Sequence, residues 1–260
     1  MDWFEKIEKK PSEDLTWNIP ERKFGTVNVF GGNSQSFKTE IKIAEFLGEK
    51  YPIESLNLVL PDALKSQLPS LPNFHFLSST ESGSFKDAEE IIEIFNAADY
   101  ILSLGDLSKN SITGKAVASA YEFTEKPIII TRDAVDLFAE NVSEKVLGNS
   151  NLIFFASMPQ MIKLFQAVYY PKMILLNQSL MQVSESLHKF TLSYPVSLIT
   201  VHNEQILIAK NGEVKAIPLS CSNYSPFLIW QGEFAAKILA MNLYNPDNFI
   251  KATVAAIFTK

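Results

Sequence analysis

The sequence predicts an α/β domain in which a mainly parallel central sheet is flanked by helices and carries an antiparallel edge near its C-terminal part. Short runs rich in Val, Ile, Leu and Phe alternate with longer amphipathic segments, a pattern typical of parallel strands joined by covering helices. Further along, closely spaced apolar runs flank Asn211-Gly212, a strong signal for a tight hairpin turn. The first pattern predicts the parallel sheet, and the second predicts its antiparallel edge.

The first part of the chain supplies the parallel strands and their crossover helices. The helical segments repeat apolar residues every third or fourth position and carry charged residues on the remaining face. Each helix therefore has one face to bury against the sheet. The predicted strands cover residues 26–30, 55–60, 73–77, 100–104, 127–131 and 151–155, and the predicted crossover helices cover residues 37–50, 85–97 and 110–125.

After residue 155 the order of elements changes. Helical stretches over residues 159–169 and 172–189 precede closely spaced strands over 196–201, 205–210 and 213–219, and helices over 226–243 and 246–258 finish the chain. Ser225-Pro226 combines a good N-cap residue with proline at the first helical position. This pair predicts that the first of the two final helices begins at residue 226.

Composition and charge limit the classes of function. With 260 residues, 47% of them hydrophobic and 20% charged, the chain is long enough for one globular domain, which we place at residues 25–260, with residues 1–24 as an N-terminal extension packed on it. The net charge of -6 leaves no basic stripe, so neither a nucleic acid nor a membrane surface is an expected partner. The single cysteine, Cys221, and the absence of a long apolar run predict a cytoplasmic protein.

Two loops with glycine and polar residues follow predicted strands. The first is Gly31-Gly32-Asn33-Ser34, and the second begins with Gly105-Asp106. Glycine lets backbone amides approach a ligand at the carboxyl end of a strand, where open α/β sheets bind ligands. A tight strand-to-helix turn explains the first loop equally well, and helix capping by Ser108 or Asn110 explains the second. Both loops are expected at the same edge of the sheet, where they would share a cleft.

Several segments, taken in order, resemble the motifs of one family. Gly31-Gly32-Asn33 stands where that family has Gly-Gly-Ser, residues 103–107 stand at its Pro-Gly-Leu-Gly, and residues 131–137 stand at its Asp-Ala-Asp-Ala-Leu-Asn-Leu. Residues 239–249 follow the pattern of its penultimate helix, the turn and the start of its last helix. From about residue 23 onward the sequence thus resembles the dehydratases that repair hydrated NAD(P)H with ADP or ATP. This resemblance implies their three-layer ribokinase-like fold, which is shared with carbohydrate kinases.

The resemblance weakens where the family carries its chemistry. Residues 155–160 stand at its Thr-Pro-His-Pro-Gly-Glu but contain neither the histidine nor the acid, and His202-Asn203 replaces its Lys-Gly. The family's Gly-Thr-Gly-Asp aligns with residues 229–232, so Gly232 occupies the position of the carboxylate. A kinase-like transfer needs such a carboxylate to take a proton and free helix amides to hold a phosphate. Glu233, one position along, is the candidate replacement base.

The family likeness and the lost motif together lead to a choice between three functions. The leading hypothesis is a diverged member with weak or lost catalysis that still binds a nucleotide or another small molecule. The second is an active dehydratase or small-molecule kinase with a displaced base. The third is a structural subunit of an oligomer without a ligand, in which apolar residues of 158–170 form the contact. If the predicted helix over residues 226–243 does begin at residue 226, residues 227–230 fill the space that the phosphates would occupy in an active member of the family.

The resemblance implies ATP or ADP with Mg²⁺, or an NAD(P)H-type molecule, as the ligand, and a homo-oligomer as the assembly state. Histidine and cysteine spacing gives no reason to expect a metal site of the chain's own. The candidate ligand-binding residues are Gly31, Gly32, Asn33, Ser34, Gly105, Asp106, Ser157, Gln160, His202, Asn203, Trp230, Gln231 and Gly232.

Overall fold

The computed structural model describes residues 2–11, 19–141, 144–222 and 230–259. The strands within these ranges form one mixed sheet. They are β1 (Phe4–Lys6), β2 (Phe24–Gly31), β3 (Ile53–Pro61), β4 (Phe74–Leu77), β5 (Tyr100–Gly105), β6 (Ile128–Thr131), β7 (Leu152–Phe155), β8 (Ser197–His202), β9 (Gln205–Lys210) and β10 (Glu213–Pro218). Their order across the sheet is β1-β10-β9-β8-β7-β6-β5-β2-β3-β4.

Helices cover both faces of the sheet and make a three-layer structure. They are α1 (Lys38–Lys50), α2 (Ala88–Asn96), α3 (Ser111–Phe123), α4 (Asp133–Asn141), α5 (Met158–Ala167), α6 (Leu180–Ser193), α7 (Glu233–Tyr244) and α8 (Phe249–Phe258). One buried cluster joins the sheet to α2 through α6, and the other joins it to α1, α7 and α8. No helix within the described ranges is long and apolar enough to cross a bilayer.

The sheet topology confirms the predicted fold class. From β4 to β7 every neighbouring pair is parallel, and β8 continues this order. The pair β9 with β10 is antiparallel, as the Asn211-Gly212 turn predicts, and the pair β8 with β9 is antiparallel as well. Residues 211 and 212 both have positive φ, of 50° and 79°, the combination that a tight hairpin turn requires.

The chain changes direction across the sheet between β2 and β5. These two strands are parallel neighbours, although β3 and β4 separate them in sequence and lie on the far side of β2. Helix α1, which follows β2, packs on one face, whereas α3, which follows β5, packs on the other. Such a reversal opens a crevice at the carboxyl ends of the strands, the place where open α/β sheets bind ligands.

Helices α4 and α6 depart from the sequence prediction. Helix α4 was not predicted, because a nine-residue helix directly after an Ile-rich strand gives only a short periodic pattern. Helix α6 was predicted over residues 172–189 but covers Leu180–Ser193. Ser179 and Gln182 form a capping box at its start, in which the Gln182 Oε1 accepts the Ser179 N–H at 2.9 Å. This Ser-x-x-Gln pattern is visible in the sequence and marks the true start of the helix.

The start of α7 corrects a second boundary. The predicted helix over residues 226–243 begins at Glu233, and residues 230–232 form a turn. Gly232 has a φ of 100°, which no residue inside a right-handed helix adopts, so no continuous helix passes through residue 232. Residues 223–229, including the predicted cap Ser225-Pro226 and the apolar residues after it, lie outside the described residues.

A strand near the N-terminus, β1, was also missed. It pairs in parallel with β10 and extends the antiparallel part of the sheet by one strand. Trp3, just before it, stacks on His188 of α6 with ring centroids 4.4 Å apart. The strand is only three residues long, too short for an alternating pattern to be recognised in sequence.

Candidate functional site

The two glycine loops meet at the carboxyl edge of the sheet, as the sequence predicts. The Gly32 N–H donates to the Gly105 carbonyl at 2.8 Å, and the Asn33 side-chain amide donates to the Asp106 carbonyl. Asn33 Oδ1 also accepts the Gln35 N–H at 2.8 Å, which closes a turn after β2. The amide of Asn33 is therefore occupied in joining the loops, so this candidate ligand contact has a structural role.

Glycine is required at both strand ends because the loops approach each other so closely. A Cβ on Gly31 would lie 2.6 Å from the Gly105 carbonyl oxygen and 2.7 Å from the Glu40 Oε1. A Cβ on Gly105, whose φ is 93°, would overlap the Asp133 carboxylate and lie 2.7 Å from the Ala134 nitrogen. These glycines thus allow β2, β5 and the start of α4 to converge at one point.

An ion pair lies where the loops after β5 and β6 meet. The Arg132 Nη2 is 3.3 Å from each carboxylate oxygen of Asp106, and the two side chains are only 22% and 16% exposed. Both residues adopt the left-handed backbone region, with φ of 57° for Arg132 and 52° for Asp106. Such a conformation costs a non-glycine residue about 1 kcal/mol or more and is concentrated at functional sites. The backbone at Asp106 and Arg132 therefore adopts an energetically unfavourable conformation that brings the two charged side chains together.

Three polar side chains hold that backbone in place. The Asp133 Oδ1 accepts the Asp106 N–H at 2.9 Å. The Gln160 side-chain amide donates to the Arg132 carbonyl and to the Asp136 carboxylate, both at 2.7 Å. The Gln160 Oε1 accepts the N–H and the hydroxyl of Ser157, each at 3.0 Å, in a capping box at the start of α5. The candidates Ser157 and Gln160 therefore support the ion pair from the neighbouring loop.

A fully buried carboxyl group, Glu40, lies beneath the loops. It belongs to the first turn of α1, and neither of its carboxylate oxygens has a hydrogen-bond partner among the described residues. Burial, and next the negative charge of Asp106, raise the pKa of Glu40 to about 8. Burial also raises the pKa of Asp133, against the lowering effect of the Asp106 N–H that it accepts. Glu40 is consequently protonated at neutral pH, and the site holds fewer negative charges than its sequence suggests.

These groups open onto a cleft of about 580 Å³. Its described lining is Asp106, Arg132, Asp133, Ser157, Gln160 and Trp230. The Trp230 ring stacks on Phe155 at the end of β7, with centroids 5.0 Å apart and planes inclined by 26°. The cleft therefore combines one guanidinium, two carboxylates and an aromatic wall.

The start of α7 forms the other side of the same region. Gly232 is the N-cap of the helix, and its carbonyl accepts the Ala236 N–H at 2.9 Å. A Cβ at Gly232 would lie 3.0 Å from the Leu104 side chain and 3.3 Å from that of Ile43. We call residues 230–233 the helix-start wall, and residues 31–34, 105–106 and 132–133 the strand-end wall. The strand-end wall is polar, whereas the helix-start wall packs against apolar side chains.

The remaining candidates lie away from the cleft lining. The His202 Nε2 is 2.8 Å from the Gln178 carbonyl, and Asn203, with a φ of 47°, forms the turn between β8 and β9. Ser34 donates its N–H to the Gly83 carbonyl at 2.9 Å, and Gln231 is exposed. Among the described residues, none of these four belongs to the lining of the cleft.

Other concavities lack a comparable set of interacting groups. A cavity of about 530 Å³ lies beside β1, β10 and α8, where Lys215 is paired with Glu5 and Glu213. Another, of about 370 Å³, lies at the opposite end of the strands, beside Tyr100 and Asn151. The 580 Å³ cleft, in contrast, lies at the carboxyl ends of the parallel strands β5, β6 and β7, so it is the candidate functional site.

Comparison with known proteins defines the fold. No protein-family model matches the sequence, and no curated protein matches it. Among solved structures, Bacillus subtilis YxkO, a member of the UPF0031 family, aligns with a TM-score of 0.67 and 14% identity over 97% of this chain and 87% of its own. The ADP/ATP-dependent NAD(P)H-hydrate dehydratase of Bacillus subtilis, co-crystallised with ATP/Mg²⁺, gives a TM-score of 0.64 and 14% identity over 97% of this chain and 86% of its own. The chain has the fold of this dehydratase.

A third structure extends the likeness to another organism. Streptococcus mutans SMU.573 aligns with a TM-score of 0.62 and 15% identity over 96% of this chain and 83% of its own. At such identities the agreement with the dehydratase and its neighbours concerns the fold, and the site must be judged from its own residues. The predicted three-layer α/β fold is thereby confirmed.

The sequence analysis missed three ionisable residues at or beneath the site. Arg132 and Asp133 lie in residues 131–137, the segment with the closest motif match, yet neither was assigned to the site. Their position directly after a buried strand is the signal that identifies them. Glu40 gave no such signal, because an acidic residue in the first turn of a helix is ordinarily exposed.

Proposed function

We propose that the protein is a diverged NAD(P)H-hydrate dehydratase-like protein that binds a nucleotide or a related phosphate-bearing small molecule and has little or no catalytic activity. The observation that carries this proposal is the contrast between Arg132, which can bind an anion, and Gly232, which has no side chain to accept a proton. The cleft offers a fixed guanidinium from Arg132, whereas Gly232 stands at the N-cap of α7 without a side chain. A group that can bind an anion is therefore present. The position that aligns with the family's proton-accepting carboxylate is a glycine and has no carboxylate.

Binding is supported by the chemistry of the cleft. A guanidinium presents several N–H donors in one plane and matches the oxygens of a phosphate group. Trp230 supplies an apolar wall on which a planar ring stacks favourably. Arg132 follows β6 and Trp230 lies against the end of β7, so both groups are at the carboxyl edge of the parallel strands, where open α/β sheets bind ligands.

The described residues fit the phosphate better than they fit its metal ion. Arg132 would hold one phosphate group, with Ser157 close by. No group of three or more His, Cys, Asp or Glu side chains placed to hold a metal occurs among the described residues. Any Mg²⁺ would therefore arrive as the metal complex of a nucleotide, and we assign it no ligand in this chain.

Loss of catalysis is supported by the state of each nearby carboxyl group. Asp106 is paired with Arg132, and Asp133 accepts the Asp106 N–H. Glu40 is fully buried below the loops and cannot reach a substrate. Glu233 lies one residue inside α7 and is half-buried. The observation that favours the alternative, an enzyme with a displaced base, is the raised pKa of Asp133 at the cleft wall, since a base needs a pKa closer to neutrality.

A ligand titration tests the proposal. Thermal unfolding and calorimetry are measured with ADP, ATP, NAD and NADH, each with and without Mg²⁺, on the natural chain and on Arg132→Gln. We expect an adenine nucleotide to raise the unfolding temperature of the natural chain, because a ligand that binds only the folded state stabilises it. Arg132→Gln should lose most of that rise. No response to any of the four compounds would contradict the binding proposal.

A turnover assay separates the binder from the enzyme. Hydrated NADH is incubated with ADP or ATP and the natural chain, and release of NADH is followed by absorbance. We expect no turnover above the rate without protein. Turnover that disappears in Asp133→Asn would favour the displaced-base enzyme and would refute the loss of catalysis.

The oligomer hypothesis needs a different surface from the one predicted. Met158, Met161, Leu164 and Phe165 of the predicted contact 158–170 are buried against the sheet. The exposed apolar side chains begin only at the end of that range, where Tyr169 is 91% exposed, and continue beyond it, where Leu176 is 63% exposed. We therefore propose residues 169–181 as the contact of a homo-oligomer. Size-exclusion chromatography with light scattering of the natural chain and Leu176→Ser tests it, and a monomer in both would contradict it.

A further inference from the structure

The Arg132 guanidinium already faces an anion of the protein. Its Nη2 contacts both oxygens of Asp106 at 3.3 Å, and no other hydrogen-bond partner of the Asp106 carboxylate occurs among the described residues. The Arg132 Nε is buried and also has no partner there. Contacts of 3.3 Å are longer than those of a strong charge-assisted pair, which are about 2.7–2.9 Å. The guanidinium is therefore only partly satisfied by Asp106.

The backbone explains why the two groups are adjacent. Asp106 and Arg132 are both left-handed, and the Asp106 N–H is anchored by Asp133. The Arg132 carbonyl is anchored separately, by Gln160. These contacts fix the two backbones but leave the Asp106 side chain attached only to Arg132. That carboxylate can turn away from Arg132 without breaking the loop.

The charged groups that line the cleft determine its affinity for an anionic ligand. The ionised groups of its described lining are Arg132, which is positive, and Asp106 and Asp133, which are negative. An incoming phosphate meets a negative excess while Asp106 remains on Arg132. At about 4 Å, two unit charges in a partly exposed site interact by about 1–4 kcal/mol, so the position of one carboxylate changes anion affinity by about fivefold or more.

We propose that the Asp106 carboxylate occupies the anion position of Arg132 and that a phosphate group of the ligand binds by displacing it. Asp106 thereby sets both the affinity of the cleft and its preference for anions. This inference rests on the proposed binding function and adds to it the residue that limits the affinity. Because the competing group is part of the chain, its effect does not depend on the concentration of any other solute.

The test removes the competing charge and keeps the shape. Asp106→Asn is isosteric, and asparagine tolerates a φ of 52° well. Calorimetry with ADP and with inorganic pyrophosphate should show binding to the variant about tenfold tighter than to the natural chain. Asp247→Asn, which removes the same charge at an exposed position outside the cleft lining, should leave both affinities unchanged. The gain should disappear in the double variant Asp106→Asn, Arg132→Gln.

Each outcome bears on the inference. If the natural chain binds ADP and Asp106→Asn binds it equally or more weakly, the displacement is refuted while the proposed binding function stands. If only the variant binds, the displacement is supported and binding by the natural chain is refuted. If neither binds ADP or pyrophosphate, both are refuted. Asp106→Gly, which also suits the left-handed backbone, replaces Asp106→Asn if circular dichroism shows that the latter is unfolded.

Discussion

The strand-end wall, which supplies Asp106, Arg132 and Asp133 to the cleft lining, and the helix-start wall, which supplies Trp230, are built differently. In the strand-end wall, polar side chains and backbone groups of three loops bond to one another around an ion pair. In the helix-start wall, Gly232 contributes no side chain and lies against Leu104 and Ile43. A site that binds a charged group needs the first arrangement, and a site that moves a proton needs a free carboxylate in the second. This difference is the basis of our proposal that the protein binds a phosphate-bearing ligand and has little or no catalytic activity.

The two walls should also differ in their tolerance of change. Left-handed, non-glycine residues and a buried carboxyl group cost free energy; the strand-end wall contains two such residues, Asp106 and Arg132, and lies directly above the buried carboxyl of Glu40. The helix-start wall has one left-handed residue, and that residue is a glycine, for which the conformation carries little cost. Substitutions that change free energies of unfolding therefore test the contrast directly.

The largest expected difference between the walls is in the free energy of unfolding when Gly105 or Gly232 is replaced by alanine. Gly105→Ala should lower the free energy of unfolding by about 3–4 kcal/mol, because its Cβ would overlap the Asp133 carboxylate and approach a backbone nitrogen at positive φ. Gly232→Ala should cost about 1–2 kcal/mol, since the nearest atoms belong to flexible side chains. Urea denaturation measures both.

Gly148→Ala is the control for this comparison. Its Cβ would meet nothing within 4 Å, so a change below about 0.5 kcal/mol is expected. Equal losses at Gly105 and Gly232 would remove the contrast between the walls.

The next largest effect is expected at Glu40, the buried carboxyl group beneath the strand-end wall, and it is a change in how the free energy of unfolding depends on pH. The pKa of Glu40 is about 8 in the folded state and about 4.5 when unfolded, so the folded state holds its proton more tightly. The associated stability is complete below pH 4.5 and is lost as the pH rises toward 8, by about 1.4 kcal/mol per pH unit. Glu40→Gln should abolish this slope and raise the stability at pH 7 by about 3 kcal/mol, the loss expected between pH 4.5 and pH 7.

Denaturation of Glu40→Gln between pH 5 and pH 8 tests that slope. The groups that influence Glu40 are Asp106 and Asp133, which oppose its ionisation, and Arg132, which favours it. Glu233→Gln, in the helix-start wall, serves as the control and should leave the slope unchanged. The same pH dependence in the natural chain and Glu40→Gln would show that the carboxyl is ionised when folded.

Restoring an acid to the helix-start wall should not restore activity. Gly232→Asp places a carboxylate at the aligned family position, but the residue must adopt a φ of 100° beside Leu104. We expect a loss of stability of about 1–2 kcal/mol and no turnover of hydrated NADH. Measurable turnover, with the unfolding curve as a check of folding, would show that the missing carboxylate is the single defect.

The smallest effect is expected at the support of the ion pair. Ser157→Ala removes the hydroxyl that donates to the Gln160 Oε1 at 3.0 Å, but the Ser157 N–H still donates to the same atom. A loss of about 0.5–1 kcal/mol in stability should result. ADP binding should weaken slightly, because Gln160 also holds the Arg132 carbonyl. A larger loss of binding than Arg132→Gln causes would show that Ser157 contacts the ligand itself.

Sequence patterns predicted the strands, most of the helices and the hairpin because each of these elements depends mainly on the residues of its own segment. Apolar strand runs, amphipathic helices and Asn211-Gly212 each report the environment of their own segment. The parallel sheet, its antiparallel edge and the contact between the two glycine loops followed from them. The errors occur where the local signal is short, as in β1 and α4, or where a backbone conformation overrides it, as at Gly232.

The sequence by itself determined the fold class, the position of the loops and the absence of a carboxylate at residue 232. Only the tertiary structure decided which charged residues form the site. Asp106 and Arg132 are 26 positions apart, and Glu40 is farther still along the chain. Their pairing, burial and protonation depend on how three strands converge at one edge. A Coulomb interaction and a desolvation cost are properties of distance in space, which no local pattern in the chain records.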